Sequence, residues 1–326
     1  MGVRVRISVC VGSIRSDTVP RLVRSIRQQT FCEWELIVVG QGSAEDVEAA
    51  VTNGASGDPR VRFLRIPMKG VSRARNAAVR EARGDILAFT DDDCEADPSW
   101  LDIVYERFLD SPNVGLVGGA VIRPAAPRFG ISACPGKVPS EALYQPSAEQ
   151  DNVPVGWDWI GANFALRREV AEAVGGFDEA LGPGTAFGAA EDTDYKLRLE
   201  AMRVEMLSTP RSIVHHTFGV RRGMGSVLAM SRNYAAGNGA LAGKLTLAGD
   251  LRGAEWLRVA RQGCSLTQGT AALPRAVRGA YRWRHFRRAY DVCLRDFQIS
   301  GPFGSLTPRT AIGEQEPDQW ILPVVD

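Results

Sequence analysis

Paired cysteines are missing from this sequence. Its six cysteines, Cys10, Cys32, Cys94, Cys134, Cys264 and Cys293, are scattered, with no CxxC pair and no zinc-ligand spacing. That argues against a disulfide framework or a zinc ribbon and predicts reduced, mostly structural thiols in a cytosolic protein. Long apolar runs are missing too: none approaches the ~18 residues of a membrane-spanning helix. The opening "MGVRVRISVCVGS" lacks the apolar core and small-residue cleavage site of a signal peptide and starts like a strand. A soluble protein, or one held peripherally at the inner face of a membrane, is expected. Nor is there an excess charge of one sign. With 39 Lys and Arg against 38 Asp and Glu, nothing global draws the chain to nucleic acid. No internal repeat is present, and 326 residues leave one large domain or two smaller ones open.

What is present first is an alternation. The strand-like runs "VRISVCV" (5–11), "WELIVVG" (34–40), "VRFLRI" (61–66) and "DILAFT" (85–90) are separated by helical patterns. These cover Val19 to Ile26, residues 44–53, and 71–84, the last with Ser72 near its start and Gly84 at its C′ position. The series predicts an α/β fold with an open, mainly parallel sheet, whose ligands bind beyond the carboxyl ends of the strands. "DPSW" (97–100) opens a helix and "VGLVGGAVI" (114–122) is a further strand. Residues 123–155, with prolines at 124, 127, 135, 139, 146 and 154, read as a long irregular loop. A strand running into a helix follows at 159–177, a Gly-rich loop opening a helix at 182–202, and a strand at 211–219. From about 222 the chain reads as mostly helical, ending in a loosely held Pro-rich tail at 302–326. The expected division is a catalytic domain over 1–221, with halves at 1–122 and 156–221, and a helical region over 222–326.

Three aspartates, Asp91, Asp92 and Asp93, end the fourth strand. On an extended backbone Asp91 and Asp93 share a face and Asp92 takes the other. Two same-facing carboxylates beside the ligand crevice suit Mg²⁺ or Mn²⁺ bridging to phosphate. The plain alternative is a solvated loop ahead of a helix, with Asp97 as its cap. Glu191, Asp192 and Asp194 gather at a helix N-terminus, where the macrodipole favours anions; they read as caps or as a general base for a hydroxyl. His215 and His216 face opposite ways in an extended segment, so at most one joins a given site.

Taken in order, "SIRQQT" (25–30), "WELIVV" (34–39), "GVSRARNAA" (70–78), "TDDDCEADPSWL" (90–101), "GANFALRREVAEAVGGFDEAL" (161–181) and "EDTDYKLRL" (191–199) resemble an inverting glycosyltransferase of family 2 with the GT-A fold. The resemblance covers roughly residues 5 to 220. It implies a nucleoside-diphosphate sugar donor, a hydroxyl acceptor and Mn²⁺ or Mg²⁺ as cofactor. Asp192 would be the catalytic base with Glu191 beside it, and Asp93 and His216 the metal ligands, with His215 the substitute. Ser13, Arg15, Gln41, Arg75, Asp91 and Asp92 would contact the nucleotide or donor, and Trp159, Gly161 and Asn163 the acceptor. Two stretches depart from the family. An aspartate that usually follows the second strand is replaced by Gly40-Gln41, which leaves GDP- or dTDP-sugars open beside UDP-sugars. Gly12-Ser13-Ile14-Arg15 stands where Pro-Thr-x-Asn is usual. The membrane helices and Gln-x-x-Arg-Trp motif of processive synthases are absent, which implies transfer of one sugar.

The stretch 274–297 interleaves arginines with Tyr281, Trp283, Phe286 and Tyr290. It reads as a solvated helix packed on the catalytic domain, or as a peripheral contact with an anionic membrane suited to a lipid-linked acceptor. No nucleic-acid motif accompanies it. Two rivals remain: a nucleotidyltransferase acting on a sugar phosphate, which lacks its Gly-rich, lysine-bearing phosphate loop here, and a non-catalytic nucleotide-sugar-binding relative.

Overall fold

Apolar residues on alternate positions of the first strands go to opposite layers, as strands covered on both faces require. The computed structural model describes residues 4–125, 132–147, 152–217, 219–262, 275–302 and 304–309. It opens with β1 (Ile7–Ser13), α1 (Val19–Arg27), β2 (Trp34–Gln41), α2 (Glu45–Ala55), β3 (Val61–Ile66), α3 (Val71–Glu81) and β4 (Ile86–Thr90). Val9, Leu36, Val38 and Ala88 join Leu22, Val23 and Ile26 of α1 in one core layer. Cys10, Ile37, Val39, Leu87 and Phe89 join Ala74, Ala77 and Ala78 of α3 in the other. Gly84 does not cap α3, which ends at Glu81; a Cβ on Gly84 would lie 2.7 Å from the backbone nitrogen of Ser8, so the glycine serves a close approach to β1.

The chain continues through β5 (Glu95–Ala96), α4 (Trp100–Asp110), β6 (Val114–Ile122), β7 (Ser132–Ala133), β8 (Ala142–Tyr144), β9 (Asn163–Arg167), α5 (Arg168–Val174), α6 (Glu191–Ala201) and β10 (Glu205–His215). The sheet order is β3-β2-β1-β4-β9-β6-β10-β5, with β8 beside β10. β3, β2, β1 and β4 run parallel, as do β6 and β10, whereas β9 is antiparallel to both its neighbours. Among the described residues between β6 and β9 there is no crossover helix, and β9 enters from the end at which β4 and β6 leave. That brings Gly161, just ahead of β9, to the carboxyl end of β4.

Past His216 come β11 (Arg221–Arg222), α7 (Met224–Leu247), α8 (Arg252–Arg261), α9 (Arg275–Asp296) and a hairpin of β12 (Phe297–Ser300) and β13 (Ser305–Pro308). The hairpin occupies part of the expected loose tail; residues 310–326 of that tail and Cys264 lie outside the described residues. The other five cysteines are free thiols. Among the described residues no helix is long and apolar enough to cross a membrane. On α9, Phe286 and Tyr290 are buried with Ala235 and Ala242 of α7, so these aromatics do not face outward.

The C-terminal helices join the sheet region through charge as well as apolar contact. Ala236, Ala240, Ala289, Cys293, Phe297 and Leu306 form one cluster with Ala180, Leu181 and Phe187. Within it, Lys244 Nζ lies 2.8 Å from Asp178 and 2.5 Å from Asp194, all three side chains buried. Asp178 also accepts the Leu306 N–H at 2.9 Å. Removing Lys244 leaves Asp178 without an ion-pair partner among the described residues and Asp194 with Arg198 alone, which costs about 3–5 kcal/mol in comparable pairs. Lys244→Met is therefore expected to lower unfolding stability by about that amount in urea titration; a loss under about 1 kcal/mol would show the triad to be dispensable.

Candidate active site

The strand β4 stops at Thr90, and the aspartates that follow lie in a turn closed by Cys94 N–H donating to the Asp91 carbonyl at 3.1 Å. The expected alternation of the triplet therefore fails. Asp92 and Asp93 both reach Arg15, whose Nη1 is 2.7 Å from an oxygen of each, while Asp91 meets Arg75 Nη2 at 3.2 Å. Burial pushes Asp92 up to about 6, against the pull of Arg15 and of the Ser13 hydroxyl that donates to it at 2.8 Å. Burial acts the same way on Asp93, but His216 and Arg15 outweigh it and hold that carboxyl below the usual range. Asp97 accepts the Ser99 N–H at 3.0 Å in a turn ahead of α4; the N-cap is Ser99 itself, so the expected cap at Asp97 is not formed.

His215 is exposed, and His216 faces inward. Its Nδ1 lies 2.8 Å from the Pro135 carbonyl and its Nε2 3.0 Å from Asp93 Oδ1. A carbonyl only accepts, so Nδ1 carries a proton and Nε2 is the atom presented to Asp93. Two acceptors at that distance require a proton or a cation between them. Burial opposes the charged ring, yet the hydrogen bond and charge of Asp93, with a contact to Cys134, push His216 up to about 11. A carboxylate oxygen and an imidazole nitrogen with a fixed second nitrogen suit Mn²⁺, and Mg²⁺ with more water. Cys94 lies within 4.8 Å of the same ligand atoms, but burial raises its thiol well above the ordinary value, so it is a poor partner for a hard cation.

A left-handed residue, Ala190 at φ 76°, turns the chain into α6 and sets Glu191 and Asp192 on its first turn. Asp192 Oδ2 accepts the Gly161 N–H at 3.0 Å and Oδ1 the Thr193 N–H at 2.7 Å. Glu191 is buried against Arg75 Nη1 at 3.2 Å. Burial first, then the charge of Asp192, push Glu191 up to about 7. Asp194 points away, to Lys244 and Arg198. Arg75 is only 2% exposed and donates to the Gly161 carbonyl at 2.8 Å. It braces the site from inside, and it also lines the cavity.

These groups open onto one cavity of about 540 Å³ at the carboxyl ends of β1, β2 and β4. Arg15, Gln41, Arg75, Gly161, Glu191, Asp192 and His216 line it with all three aspartates of the triplet. Three residues expected to contact the donor or acceptor lie off the cavity. Ser13 is buried behind Asp92 and does not line the cavity. Trp159 is buried against Phe164, ring centroids 4.7 Å apart. Asn163 uses its whole amide inside the sheet, accepting from Trp100 Nε1 and donating to the Ala120 and Ser212 carbonyls at 2.8–2.9 Å. Of the expected acceptor contacts, only Gly161 reaches the cavity. Gln41 does reach it, with Oε1 accepting the Gly70 N–H at 2.7 Å. Beside it, a Cβ on Gly40 would lie 2.4 Å from the Phe63 ring and 2.7 Å from Ala44.

The sequence reading missed Lys69, Pro135 and Arg221, and a wall made by Ser226, Met230, Asn233 and Tyr234 of α7. Their spacing of four, three and one residues places the α7 group on one helical face. That periodicity was legible, but nothing in it says what the face looks onto.

A carboxylate–histidine pair and a second carboxylate share one cavity at the carboxyl ends of a mostly parallel sheet whose architecture is that of the GT-A fold. The family model for glycosyl transferase family 2 matches residues 8–175, just over half of the chain, and the protein belongs to that family. It is 25% identical over 184 residues to the glucosyl-dolichyl phosphate glucuronosyltransferase of Haloferax volcanii, covering 55% of this chain and 57% of that one. With the O-antigen biosynthesis protein RfbC of Myxococcus xanthus it shares 28% identity over 227 residues, 64% of this chain and 17% of that one. The chain thus spans less than two thirds of either relative. Among solved structures, the Pyrobaculum calidifontis mannosyltransferase PcManGT, in complex with GDP-Man and Mn²⁺, superposes with a TM-score of 0.54 at 17% identity, covering 90% of this chain and 88% of that one. Residues 1–349 of S. aureus TarS give 0.55 at 14% identity, covering 95% and 98%. At such identities the likeness is one of fold.

Glu191 makes stability depend on pH in a defined direction. Its folded pKa, about 7, lies above the ordinary carboxyl value of 4.5, so the folded state binds the extra proton between them. The stabilisation is complete below about pH 4.5 and lost as pH rises through about 7. Glu191→Gln is expected to remove that slope, so that its stability relative to the parent rises by about 1–3 kcal/mol from pH 4.5 to 8 in denaturant titrations. Parallel curves would refute the assignment.

Proposed function

We propose that the protein transfers one sugar from a nucleoside-diphosphate sugar to a hydroxyl acceptor, with inversion at the anomeric carbon. The supporting observation is the single cavity onto which Asp192 and the Asp93–His216 pair both open. Asp192, fixed by two backbone N–H groups, takes the proton of the acceptor hydroxyl. The acceptor oxygen then forms its bond to the anomeric carbon as the bond to the nucleoside diphosphate breaks. Arg75 supports that base through Gly161, and Glu191 lies beside it on the acceptor side. Asp93 and His216 would hold Mn²⁺ or Mg²⁺, which when bound neutralises charge on the departing diphosphate. The Pyrobaculum neighbour, crystallised with GDP-Man and Mn²⁺, supports both the cation and a nucleotide sugar, and a second TarS structure is a complex with UDP. Gln41, Arg15, Asp91 and Asp92 form the nucleotide side of the site. A lipid-linked acceptor is supported by the dolichyl phosphate substrate in the name of the Haloferax relative. Contact of α9 with an anionic membrane would then be electrostatic, because Phe286 and Tyr290 are buried.

A panel of UDP-, GDP- and dTDP-sugars with Mn²⁺ tests the reading. Acceptor-dependent release of a nucleoside diphosphate is expected, whereas pyrophosphate from a nucleoside triphosphate would mark a nucleotidyltransferase. Asp192→Asn should lower turnover about 10²–10⁴-fold while nucleotide affinity is kept; nearly full activity would remove Asp192 as the base. Asp93→Ala should abolish the Mn²⁺ dependence of nucleotide binding, and an unchanged metal titration would take Asp93 out of the metal site.

A further inference from the structure

The cavity's cations are not equally engaged. Arg15 is bound to Asp92 and Asp93, and Arg75 to Asp91 and Glu191. Lys69 and Arg221 also line the cavity, and among the described residues neither forms an ion pair with a carboxylate. Lys69 lies by Gly42 and Gly184, whereas Arg221, whose Nη1 donates to the Gly219 carbonyl at 3.1 Å, is close enough to Asp93 for its charge to act on that carboxylate. Its surroundings fix it beside His216. Arg221 pairs with Ala133 across β11 and β7, two residues before Pro135, whose carbonyl holds His216 Nδ1. Cys134 Sγ meets the His216 carbonyl at 3.7 Å. Gly219, to which Arg221 is bonded, lies so close over the imidazole that a Cβ there would be 2.2 Å from Nε2. One short strap therefore carries the inward-facing histidine and an uncommitted guanidinium together.

We propose that Arg221 binds the diphosphate of the nucleotide next to the Asp93–His216 pair and remains on it as it departs, which makes it a residue that selects diphosphates over monophosphates. The inference rests on the transferase reading above. A planar guanidinium presents forked donors that match two phosphate oxygens. Arg15 and Arg75 would have to share such donors with carboxylates, whereas Arg221 gives up only a bond to a backbone carbonyl. Charge that builds on the leaving group is where such a donor gains most.

Calorimetric titration of the full chain with UDP, GDP, UMP and GMP, in Mn²⁺ and again in EDTA, tests this. Arg221→Gln is expected to weaken both diphosphates about 10–100-fold and the monophosphates little, with the loss persisting in EDTA and Arg221→Lys recovering part of it. Arg222→Gln, its exposed neighbour outside the cavity, should bind as the parent does. Equal losses for mono- and diphosphates, no loss, or a like loss in Arg222→Gln would overturn the role of Arg221 alone. A parent protein that binds neither UDP nor GDP would instead overturn the transferase reading, and this inference with it.

Discussion

Arg75 is a cation buried to 2% exposure, and four parts of the chain meet at its guanidinium. It rises from α3, reaches Asp91 after β4, the Gly161 carbonyl before β9, and Glu191 at the start of α6. The rings of Phe164 and Phe177 lie 6.0 and 5.4 Å from it, offering their faces to the charge. A buried cation is tolerable only where anions and acceptors surround it, and a cluster of carboxylates is tolerable only where cations divide it. The site satisfies both conditions at once, with Arg75 taking Asp91 and Glu191 while Arg15 takes Asp92 and Asp93. Asp192 inherits its position from the same brace, because its oxygen is held by the N–H of Gly161, whose carbonyl Arg75 holds.

The C-terminal helices belong to this arrangement rather than merely following it. One stretch of α7 lines the cavity from Ser226 to Tyr234, and a later turn of the same helix sends Lys244 into the charged core. Asp194, one of its partners, sits on the first turn of α6 two residues after Asp192. A disturbance of α7 would therefore reach the proposed base through a rigid ion pair as well as through the cavity wall. The family model's match ends at residue 175, so Asp178, Asp194 and Lys244 all lie beyond the residues it matches.

Much of the fold was legible because strands covered on both faces leave a plain mark: short apolar runs separated by helical periods. The same reasoning located the acidic turn after β4 and the carboxylates of α6. It failed where a residue's direction depends on partners far along the chain. Alternation misassigned Asp92 because the backbone turns at Asp91, a change set by the Asp91–Cys94 hydrogen bond rather than by residue type. Asn163 was read as an acceptor contact, but the antiparallel entry of β9 places its amide among α4, β6 and β10. Nothing local in the sequence specifies that direction. Arg221 and the α7 wall were hidden for a related reason, since they acquire meaning only from what the fold sets opposite them.

Gly40 carries a consequence for anyone who would re-engineer nucleotide choice. An acid at position 40 itself cannot be accommodated without movement of its neighbours, because the Phe63 ring and Ala44 already fill the volume its first side-chain carbon would need. The lock lies under the cavity floor, in the packing between β2 and β3. A redesign at position 40 would have to make room at both Phe63 and Ala44, loosening the packing around β2 before gaining any new contact with a base.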